Sequence, residues 1–589
     1  MSTYKIFGAG PGGLYIAWRL ATGGTLTAAD SIELVEWGDY DFDGSNSGTR
    51  APAGRICSYH YNKDPNQSYI ELGGMRFVQW DKDKAAGHQL VSKTISMLGL
   101  SDEVIDFNTT DSPLFYLRGQ HFYQDELGKN GVKAPYDTPG NNEKPADTLF
   151  ANISTLITED KYRTRTSECG FYANGTLPQN FNSFVYRAGE IVGNISYWNI
   201  FYDQAGNEGY EYASDAGGYT SNVISWNAAD AAIYNGEFAP GGAFKTLSRG
   251  YSSLFAALYT AARTAAQDAG IGFILTPSTR LHSIWLKDGA VTYRTATAAD
   301  AFATASSELI ADYAFLAMPP RSIELVAQAT RYQDMSGKLD FLNVTQVQNY
   351  LESVILQPSY KVAMFFDSEW WKTTPYPPKL VNASKKNVNV YGPTVTDIPL
   401  RQVYYFGNNA PGPVSEPVYG LLASYDDMDF TSFWQEIQVP VDERRSVPVS
   451  RDYQPLEGPR AASPTMERML LLELAKVHYG SPDAAWQIPT PKQTMFVDWG
   501  LNPFGAGYHA WASHYDIADV MQQIRVPTRM AGAANANVFI TGSAFSNDQA
   551  WVEGAFCTAE SVLVDFLHLK CIADTSQYPL ICGPSCACP

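Results

Sequence analysis

Hydrophobic and polar positions at the start of the chain predict a strand, a helix and a second strand in close succession. The segment TYKIF (residues 3–7) is short and rich in strand-forming residues. Apolar residues then recur at helical spacing, at Leu14, Ala17, Trp18 and Ala21. The segment SIELVEW (residues 31–37) predicts the second strand. Strands that alternate with helices indicate an α/β fold with a parallel sheet covered by helices.

Glycines fill the turn between the first strand and the helix, at Gly8, Gly10, Gly12 and Gly13. In a dinucleotide site, glycines allow a tight turn there and let backbone N–H groups approach the pyrophosphate at the helix N-terminus. Such a site also needs an acidic residue about 20 positions further on, which binds the ribose hydroxyls. Glu36 ends the second strand, 23 residues after Gly13. The sequence therefore predicts a dinucleotide-binding domain.

Length and charge narrow the classes of protein that this chain can represent. The chain has 589 residues, of which 45% are hydrophobic. This length suggests about two to four domains, and the hydrophobic fraction is enough for a large core. The net charge of −19 at pH 7 argues against nucleic acid or an anionic membrane as the main partner. No run of about 18 apolar residues occurs, so we expect no membrane span. No leader pattern precedes the first strand, so we expect a cytoplasmic protein, or a secreted one if a leader has been removed.

The cysteines and histidines do not follow a metal-binding pattern. Three cysteines lie in the body of the chain and four lie near its end, at Cys57, Cys169, Cys557, Cys571, Cys582, Cys586 and Cys588. The terminal spacing C-x3-C-x-C is unfamiliar as a zinc site, and the histidines form no H-x3-H or H-E-x-x-H motif. We expect reduced thiols in this terminal segment, with disulfides inside it as the alternative, and no metal.

Two further motifs follow the predicted dinucleotide site. GTRAPAGRICSYHY contains Ala53, Gly54 and Arg55, and YIELGGMRF (residues 69–77) contains Arg76. In this order the blocks resemble the FAD-dependent amine oxidase superfamily, in particular the L-amino acid oxidases. Similar blocks continue as ADYAFLAMPPRSI, SYKVAMFFDSEWW, LLASYDDMDF, DWGLNPFGAGYHAW and FITGSAFSNDQAWVEGAF. The chain departs from the family at Ala53, which replaces a glycine, and at Ser543, which replaces a glutamate that contacts the ribityl chain.

The resemblance implies a bound FAD and a set of residues that contact it. Arg55 is a candidate for holding the pyrophosphate, since a guanidinium binds phosphate oxygens in pairs. The full expected set is Gly8, Gly10, Pro11, Gly12, Gly13, Glu36, Trp37, Arg55, Gly73, Gly74, Met75, Arg76, Leu281, Gly542, Ser543, Ala550, Trp551, Val552 and Ala555.

The resemblance also implies a substrate site beside the flavin. An amino acid brings a carboxylate, and Arg76 is the expected cation for it. Lys361 stands in an otherwise apolar strand, and the resemblance implies that it holds a water near the flavin. The expected catalytic residues are Lys361, Arg76 and Trp551. The expected substrate-binding residues are Arg76, Tyr425, Ala550, Trp551, and Tyr508 or His509, of which the last two lie near the substrate side chain.

The expected fold is α/β, with a discontinuous Rossmann-like FAD-binding domain, a mixed-sheet substrate domain and a helical insert, as in the flavin amine oxidases. The boundaries that we predict are 1–68, 241–345 and 531–570 for the FAD domain, 69–150 and 346–530 for the substrate domain, 151–240 for the helical domain, and 571–589 for a Cys-rich tail that forms an appendage.

The expected function is oxidative deamination of L-amino acids to 2-oxo acids, with hydride transfer from Cα to FAD and release of ammonia and hydrogen peroxide. The partners are then an L-amino acid and O2, and the resemblance implies a homodimer. One alternative is an L-amino acid 2-monooxygenase, which converts its substrate to an amide. The other is a flavin-binding protein without turnover. The sequence does not name the preferred side chain.

Overall fold

A computed structural model describes residues 1–40, 42, 53–110, 112–162, 164–234, 244–298, 303–379, 391–439 and 458–582. The strands are β1 (Thr3–Phe7), β2 (Ser31–Val35), β3 (Ser58–His60), β4 (Tyr69–Glu71), β5 (Phe77–Val78), β6 (Val104–Asp106), β7 (Leu114–Leu117), β8 (Gln120–Tyr123), β9 (Phe244–Leu247), β10 (Gly272–Thr276), β11 (Thr279–Lys287), β12 (Ala290–Thr297), β13 (Leu309–Ala311), β14 (Tyr313–Ala317), β15 (Lys338–Leu339), β16 (Val354–Gln357), β17 (Ser359–Phe366), β18 (Tyr391–Thr396), β19 (Gln402–Gly407), β20 (Tyr419–Asp427), β21 (Arg460–Ala461), β22 (Gln493–Asp498), β23 (Tyr508–Trp511) and β24 (Val538–Thr541).

The helices are α1 (Pro11–Thr22), α2 (Gln89–Met97), α3 (Asp147–Ile157), α4 (Glu168–Asn174), α5 (Tyr197–Ala216), α6 (Ala228–Tyr234), α7 (Ser252–Asp268), α8 (Pro320–Arg331), α9 (Thr345–Leu351), α10 (Thr431–Ile437), α11 (Pro464–Tyr479), α12 (Ile517–Ile524), α13 (Pro527–Met530) and α14 (Val552–Leu567). None of the helices in the described part of the chain combines the length and the apolar character that a membrane span requires.

A parallel sheet in the order β10-β2-β1-β14-β24 forms the first layer of the molecule. Successive side chains point to opposite faces of a strand, and both faces of this sheet are covered. Ile6 and Leu34 pack with the helices α1, α7 and α14, whereas Phe7 and Val35 pack toward the hairpin β11–β12. The carboxyl ends of β1 and β2 therefore open beside α1, where an α/β sheet binds its ligand.

A mixed sheet in the order β21-β22-β17-β20-β19-β18-β7-β8 forms the second layer. Its central strand β17 is buried along its whole length, and it pairs antiparallel with β20 and β22. This pairing sets Lys361 opposite Tyr425 on one side and opposite Val497 on the other. The predicted combination of a Rossmann-like parallel sheet with a mixed sheet and a helical segment is confirmed.

The helices α3, α4, α5 and α6 follow β8 in the chain and precede β9. We refer to residues 147–234 as the helical insert. Its apolar side chains, such as Phe150, Phe201 and Tyr212, pack against one another in a buried cluster. The same cluster includes residues outside the insert, such as Phe115 and Leu281. The insert therefore shares its core with the rest of the molecule, in addition to the polar contacts with the mixed sheet that are described below.

The end of the described chain packs against the rest of the molecule, in contrast to the expected appendage. Tyr578 is fully buried, and its hydroxyl donates to the carboxylate of Asp548 over 3.1 Å. A disulfide joins Cys582 to Cys169 on α4, with 5.1 Å between the Cα atoms. The prediction of a reduced thiol, or of a disulfide within the terminal segment, is therefore wrong for Cys582. Cys57, Cys557 and Cys571 are free thiols, while Cys586 and Cys588 lie outside the described residues.

Replacement of Cys169 by serine is expected to lower stability by about 3 kcal/mol, because a cross-link that closes a long loop restricts the unfolded chain. The bridged cysteines are 413 residues apart in sequence. The measurement is the thermal unfolding midpoint of the wild type and of Cys169→Ser. Cys571→Ser removes a free thiol and serves as the control. Equal midpoints for Cys169→Ser and the wild type would show that this bridge does not stabilise the fold.

Candidate cofactor and substrate cavities

The turn between β1 and α1 forms one end of a long cavity, which we call the first cavity. Gly8 has a φ of +107°, and a Cβ on Gly13 would lie 1.9 Å from the carbonyl oxygen of Gly8. Only glycine fits both positions. Gly8, Gly10, Pro11 and Gly12 line the cavity. Gly13 does not line it but packs against the backbone of Gly8. The N-terminus of α1 therefore opens into the first cavity, where it favours an anion.

Glu36 lines the same end of the first cavity and is only 5% exposed. Its carboxylate accepts hydrogen bonds from the backbone N–H groups of Ala9 (2.5 Å) and Gly38 (2.6 Å). Burial raises the pKa of Glu36 to about 7, against the opposing effect of these hydrogen bonds. Trp37 and Leu281 lie beside it on the cavity wall. An acid fixed in this way matches the ribose contact that the sequence predicts.

Arg55 lies further along the first cavity. Its Nη1 donates to the carbonyl oxygens of Ala506 (3.3 Å) and Gly507 (3.1 Å). Burial lowers the pKa of the guanidinium to about 10, and none of the carboxylates in the described ranges pairs with it. A buried cation without an acidic partner is costly, and a phosphate anion would relieve that cost.

The first cavity continues to the opposite wall, where the first turn of α14 begins. The predicted residues on this wall are Gly73, Gly74, Gly542, Ser543, Ala550, Trp551, Val552 and Ala555, and all of them line the cavity. A glycine turn, a buried acid, a cation without an acidic partner and two helix N-termini thus line one cavity. This donor set fits a dinucleotide such as FAD, which needs both a ribose contact and a pyrophosphate contact.

A second cavity of about 530 Å³ meets the first one, and Arg76 and Met75 line only this second cavity. The Arg76 guanidinium lies 4.0 Å from the ring centre of Phe244 and 5.3 Å from that of Phe107. Its Nη1 is buried and has no hydrogen-bond partner. Arg76 forms no ion pair with any described residue. The guanidinium therefore offers an open anion site inside the cavity.

Lys361 lies where the two cavities meet and is 3% exposed. Its ammonium donates to the carbonyl oxygen of Gly73 over 2.7 Å and lies 4.1 Å from the ring centre of Tyr425. Burial lowers the pKa of Lys361 to about 7; the Glu71 carboxylate opposes this shift and Arg76 adds to it. This lysine therefore changes its protonation near neutral pH.

The remaining predicted substrate residues divide between the cavity surface and the protein interior. Tyr425, Tyr508, Ala550 and Trp551 line both cavities. The Trp551 ring lies edge-on to His88 at 4.7 Å and stacks toward Phe244 at 6.2 Å, so it forms an aromatic wall. His509 lines neither cavity. Adjacent side chains of a strand point to opposite faces, so His509 points away from the side of β23 that carries Tyr508. It is 2% exposed, and its ring nitrogens have no hydrogen-bond partner in the described structure.

Several residues of the second cavity were not predicted from the sequence, namely Tyr219, Gln402 and Tyr404. The Tyr404 hydroxyl donates to Oε1 of Gln402 over 3.0 Å, and the Tyr404 side chain interacts with that of Arg76. Tyr219 comes from the helical insert. The block YYF contains Tyr404, but consecutive tyrosines in a strand do not indicate which of them faces a cavity.

Comparison with known proteins gives sequence relatives of two kinds. Aplysianin-A from Aplysia kurodai is 22% identical over 584 residues, which is 96% of this chain and 90% of aplysianin-A. L-amino-acid oxidase 4 from Hebeloma cylindrosporum is 26% identical over 246 residues, which is 41% of this chain and 33% of that protein. No family model matches the chain.

Solved structures share the whole architecture at low sequence identity. Cyclohexylamine oxidase from Brevibacterium oxydans IH-35A superposes with a TM-score of 0.56 at 14% identity, over 95% of this chain and 99% of that one. Putrescine oxidase bound to putrescine gives 0.56 at 12% identity, over 96% and 99%. The chain therefore shares its fold with these amine oxidases and is similar in sequence to an L-amino-acid oxidase.

Proposed function

We propose that this protein is an L-amino-acid oxidase that converts an L-amino acid, O2 and water to a 2-oxo acid, ammonia and hydrogen peroxide. One observation supports the amino acid as substrate above all others. The Arg76 guanidinium opens into the second cavity without an acidic partner among the described residues, next to Lys361 and Tyr425. This position suits the carboxylate of a substrate whose Cα reaches the junction of the cavities.

A carboxylate substrate accounts for Arg76 better than a simple amine does. The guanidinium offers two parallel N–H donors, which match the two oxygens of a carboxylate. A simple amine would bring a second positive charge and no acceptor, and the buried guanidinium would remain uncompensated. Putrescine oxidase, by contrast, is a relative of this fold that binds putrescine.

The other residues orient the substrate and control a proton. When bound, FAD supplies the hydride acceptor of the reaction. Trp551, Tyr425 and Ala550 line both cavities. In the proposal the two aromatic rings exclude water from the junction, and the carbonyl group of Ala550 accepts a hydrogen bond from the substrate amine. Lys361, with a pKa of about 7, holds or releases a proton at Nζ near neutral pH. Its position suits the water that hydrolyses the imine product and the protons that O2 takes up.

The proposal is tested by assay of the purified yellow protein against the twenty L-amino acids and several amines lacking the carboxylate. We expect hydrogen peroxide, ammonia and a 2-oxo acid in equal amounts from at least one L-amino acid. An amide product in place of peroxide would instead indicate the 2-monooxygenase. Oxidation of the amines alone, or no bleaching by any amino acid without O2, would contradict the proposal.

An oxidising compartment is part of the same proposal. The disulfide between Cys169 and Cys582 is of the kind that persists in secreted proteins and is rare in the cytosol. It therefore favours the secreted alternative over the cytoplasmic one. Release of hydrogen peroxide, a homodimeric assembly and a role in amino acid catabolism likewise belong to the proposed function.

A further inference from the structure

Part of the wall of the substrate cavity comes from the helical insert. Tyr219 follows α5 and lines the second cavity together with Arg76, Tyr404 and Tyr425. Its ring centre lies 5.3 Å from that of Tyr425, edge to face. Burial raises the pKa of Tyr219 well above its usual range, and the neighbouring Tyr425 adds to this shift. The charge of Arg76 opposes it. Tyr219 and Arg76 therefore belong to the wall of the same cavity.

We propose that Tyr219 is a specificity-determining residue that binds the substrate carboxylate together with Arg76, and that Asp427 positions it. This inference rests on the amino-acid oxidase activity proposed above. It assigns to the helical insert a direct part in the choice between amino acids and amines.

Asp427 fixes the chain on one side of Tyr219. This carboxylate is fully buried. Its Oδ1 accepts from the backbone N–H of Thr220 (3.1 Å), and its Oδ2 accepts from the N–H of Ser221 (2.9 Å) and from the Tyr508 hydroxyl (3.1 Å). Asp427 ends the strand β20 that also carries Tyr425. The carboxylate therefore ties the insert to the same strand that lines the junction of the cavities.

Arg401 and Gln402 fix the chain on the other side of Tyr219. The Gln402 amide donates to the carbonyl oxygen of Gly218 over 3.0 Å, and Arg401 donates to the carbonyl oxygen of Ser214 over 2.7 Å. Gly218 has a φ of +72°, and a Cβ there would lie 2.9 Å from Cγ of Gln402. The turn needs glycine, because no side chain fits between it and the strand.

The resulting site has more donors than an amine can use. A carboxylate has about four lone-pair sites on its two oxygens. The guanidinium fork of Arg76 matches two of them. The Tyr219 hydroxyl hydrogen-bonds with the side chains of Tyr425 and Gln402 in this structure, and in the proposal it turns to donate to a third. A substrate without a carboxylate gives the Tyr219 hydroxyl no charged acceptor. Loss of this hydroxyl should therefore weaken the binding of amino acids and leave the binding of amines unchanged.

The test compares Tyr219→Phe with the wild type as FAD-loaded enzymes. For the preferred L-amino acid we expect kcat/KM to fall about tenfold or more, mainly through KM, because a hydrogen bond to a charged group is lost. For the amine that lacks only the carboxylate, kcat/KM should stay unchanged. Asp427→Asn should shift KM in the same direction, and the double variant should add little to Tyr219→Phe. Tyr202→Phe, at an exposed position of α5, is the matched control and should behave as the wild type.

A binding experiment separates this inference from the proposed function. Calorimetry should show benzoate binding about tenfold more weakly to Tyr219→Phe than to the wild type, with benzamide as the uncharged reference. If no L-amino acid is oxidised but benzoate binding weakens in this way, the proposed function fails and the carboxylate site stands. If amino acids are oxidised and Tyr219→Phe changes neither KM nor benzoate affinity, the role of Tyr219 is overturned. Equal losses for benzoate and benzamide would also overturn it.

Discussion

Arg76→Ala is expected to raise the KM for L-amino acids by about 100-fold or more, because truncation removes a buried charge-assisted pair of hydrogen bonds. The variant should still bind FAD, since Arg76 lines only the second cavity. Glu36 and Arg55, the residues placed to hold the cofactor, remain unchanged. The measurements are KM and kcat from peroxide release, together with the flavin absorbance per protein.

Two further variants show whether the rise in KM comes from the loss of the Arg76 guanidinium. Arg76→Lys keeps the charge but not the planar fork, so its KM should lie between those of the wild type and Arg76→Ala. Arg331→Ala removes an exposed arginine of α8 and should leave KM unchanged. An unaltered KM in Arg76→Ala would show that the substrate carboxylate binds elsewhere. A colourless Arg76→Ala would show that the arginine holds the cofactor instead.

The dinucleotide turn was predictable because its signals are local. The strand β1, the helix α1 and the strand β2 occupy the predicted segments, and Glu36 accepts from the turn that contains Gly8. Strand formers, glycines that allow a positive φ, and an acid at the strand end all lie within one short stretch. Such features specify a conformation before any distant packing is known.

The face of an isolated strand was less predictable. Tyr508 and His509 are adjacent on β23, and a shift of one residue reverses which side chain faces the cavity. The pairing of β23 with β16 settles this, since Tyr508 lies opposite Gln357 and His509 lies opposite Leu356. That register depends on residues about 150 positions earlier, which no local pattern contains.

Contacts of the helical insert and of the terminal segment were not predictable for a similar reason. Tyr219 enters the cavity because Asp427 and Gln402, both distant in sequence, hold its turn. Cys169 forms a disulfide with Cys582, which is 413 residues away in sequence. Cysteine spacing alone does not define such connectivity. The tertiary arrangement of separate elements determines these contacts, whereas the resemblance identified family motifs within single elements.

Lys361→Met is expected to slow reoxidation of the enzyme by O2 by about 100-fold or more, the usual scale for loss of a group that moves protons. Reduction by an L-amino acid without O2 should continue, since Arg76 and Trp551, the proposed substrate-binding residues, are unchanged. Stopped-flow absorbance separates the two steps. Lys287→Met, at the exposed end of β11, is the control and should keep both rates. Equal slowing of both steps would assign Lys361 to substrate orientation.

The same Lys361→Met variant is expected to be more stable than the wild type at pH 6 and to lose this advantage as the pH rises. Burial lowers the pKa of Lys361 from 10.5 to about 7, so between these values the unfolded chain holds a proton that the folded chain lacks. The free energy of unfolding of the wild type therefore rises over this window, by up to about 5 kcal/mol from this group. Below pH 7 both states carry the charge, and the wild type bears the full cost of burying it. Melting temperatures of the FAD-loaded proteins at pH 6 and pH 9 measure the difference. A constant difference at both pH values would show that the folded protein keeps Lys361 charged, paired with Glu71, whose own pKa burial raises to about 7.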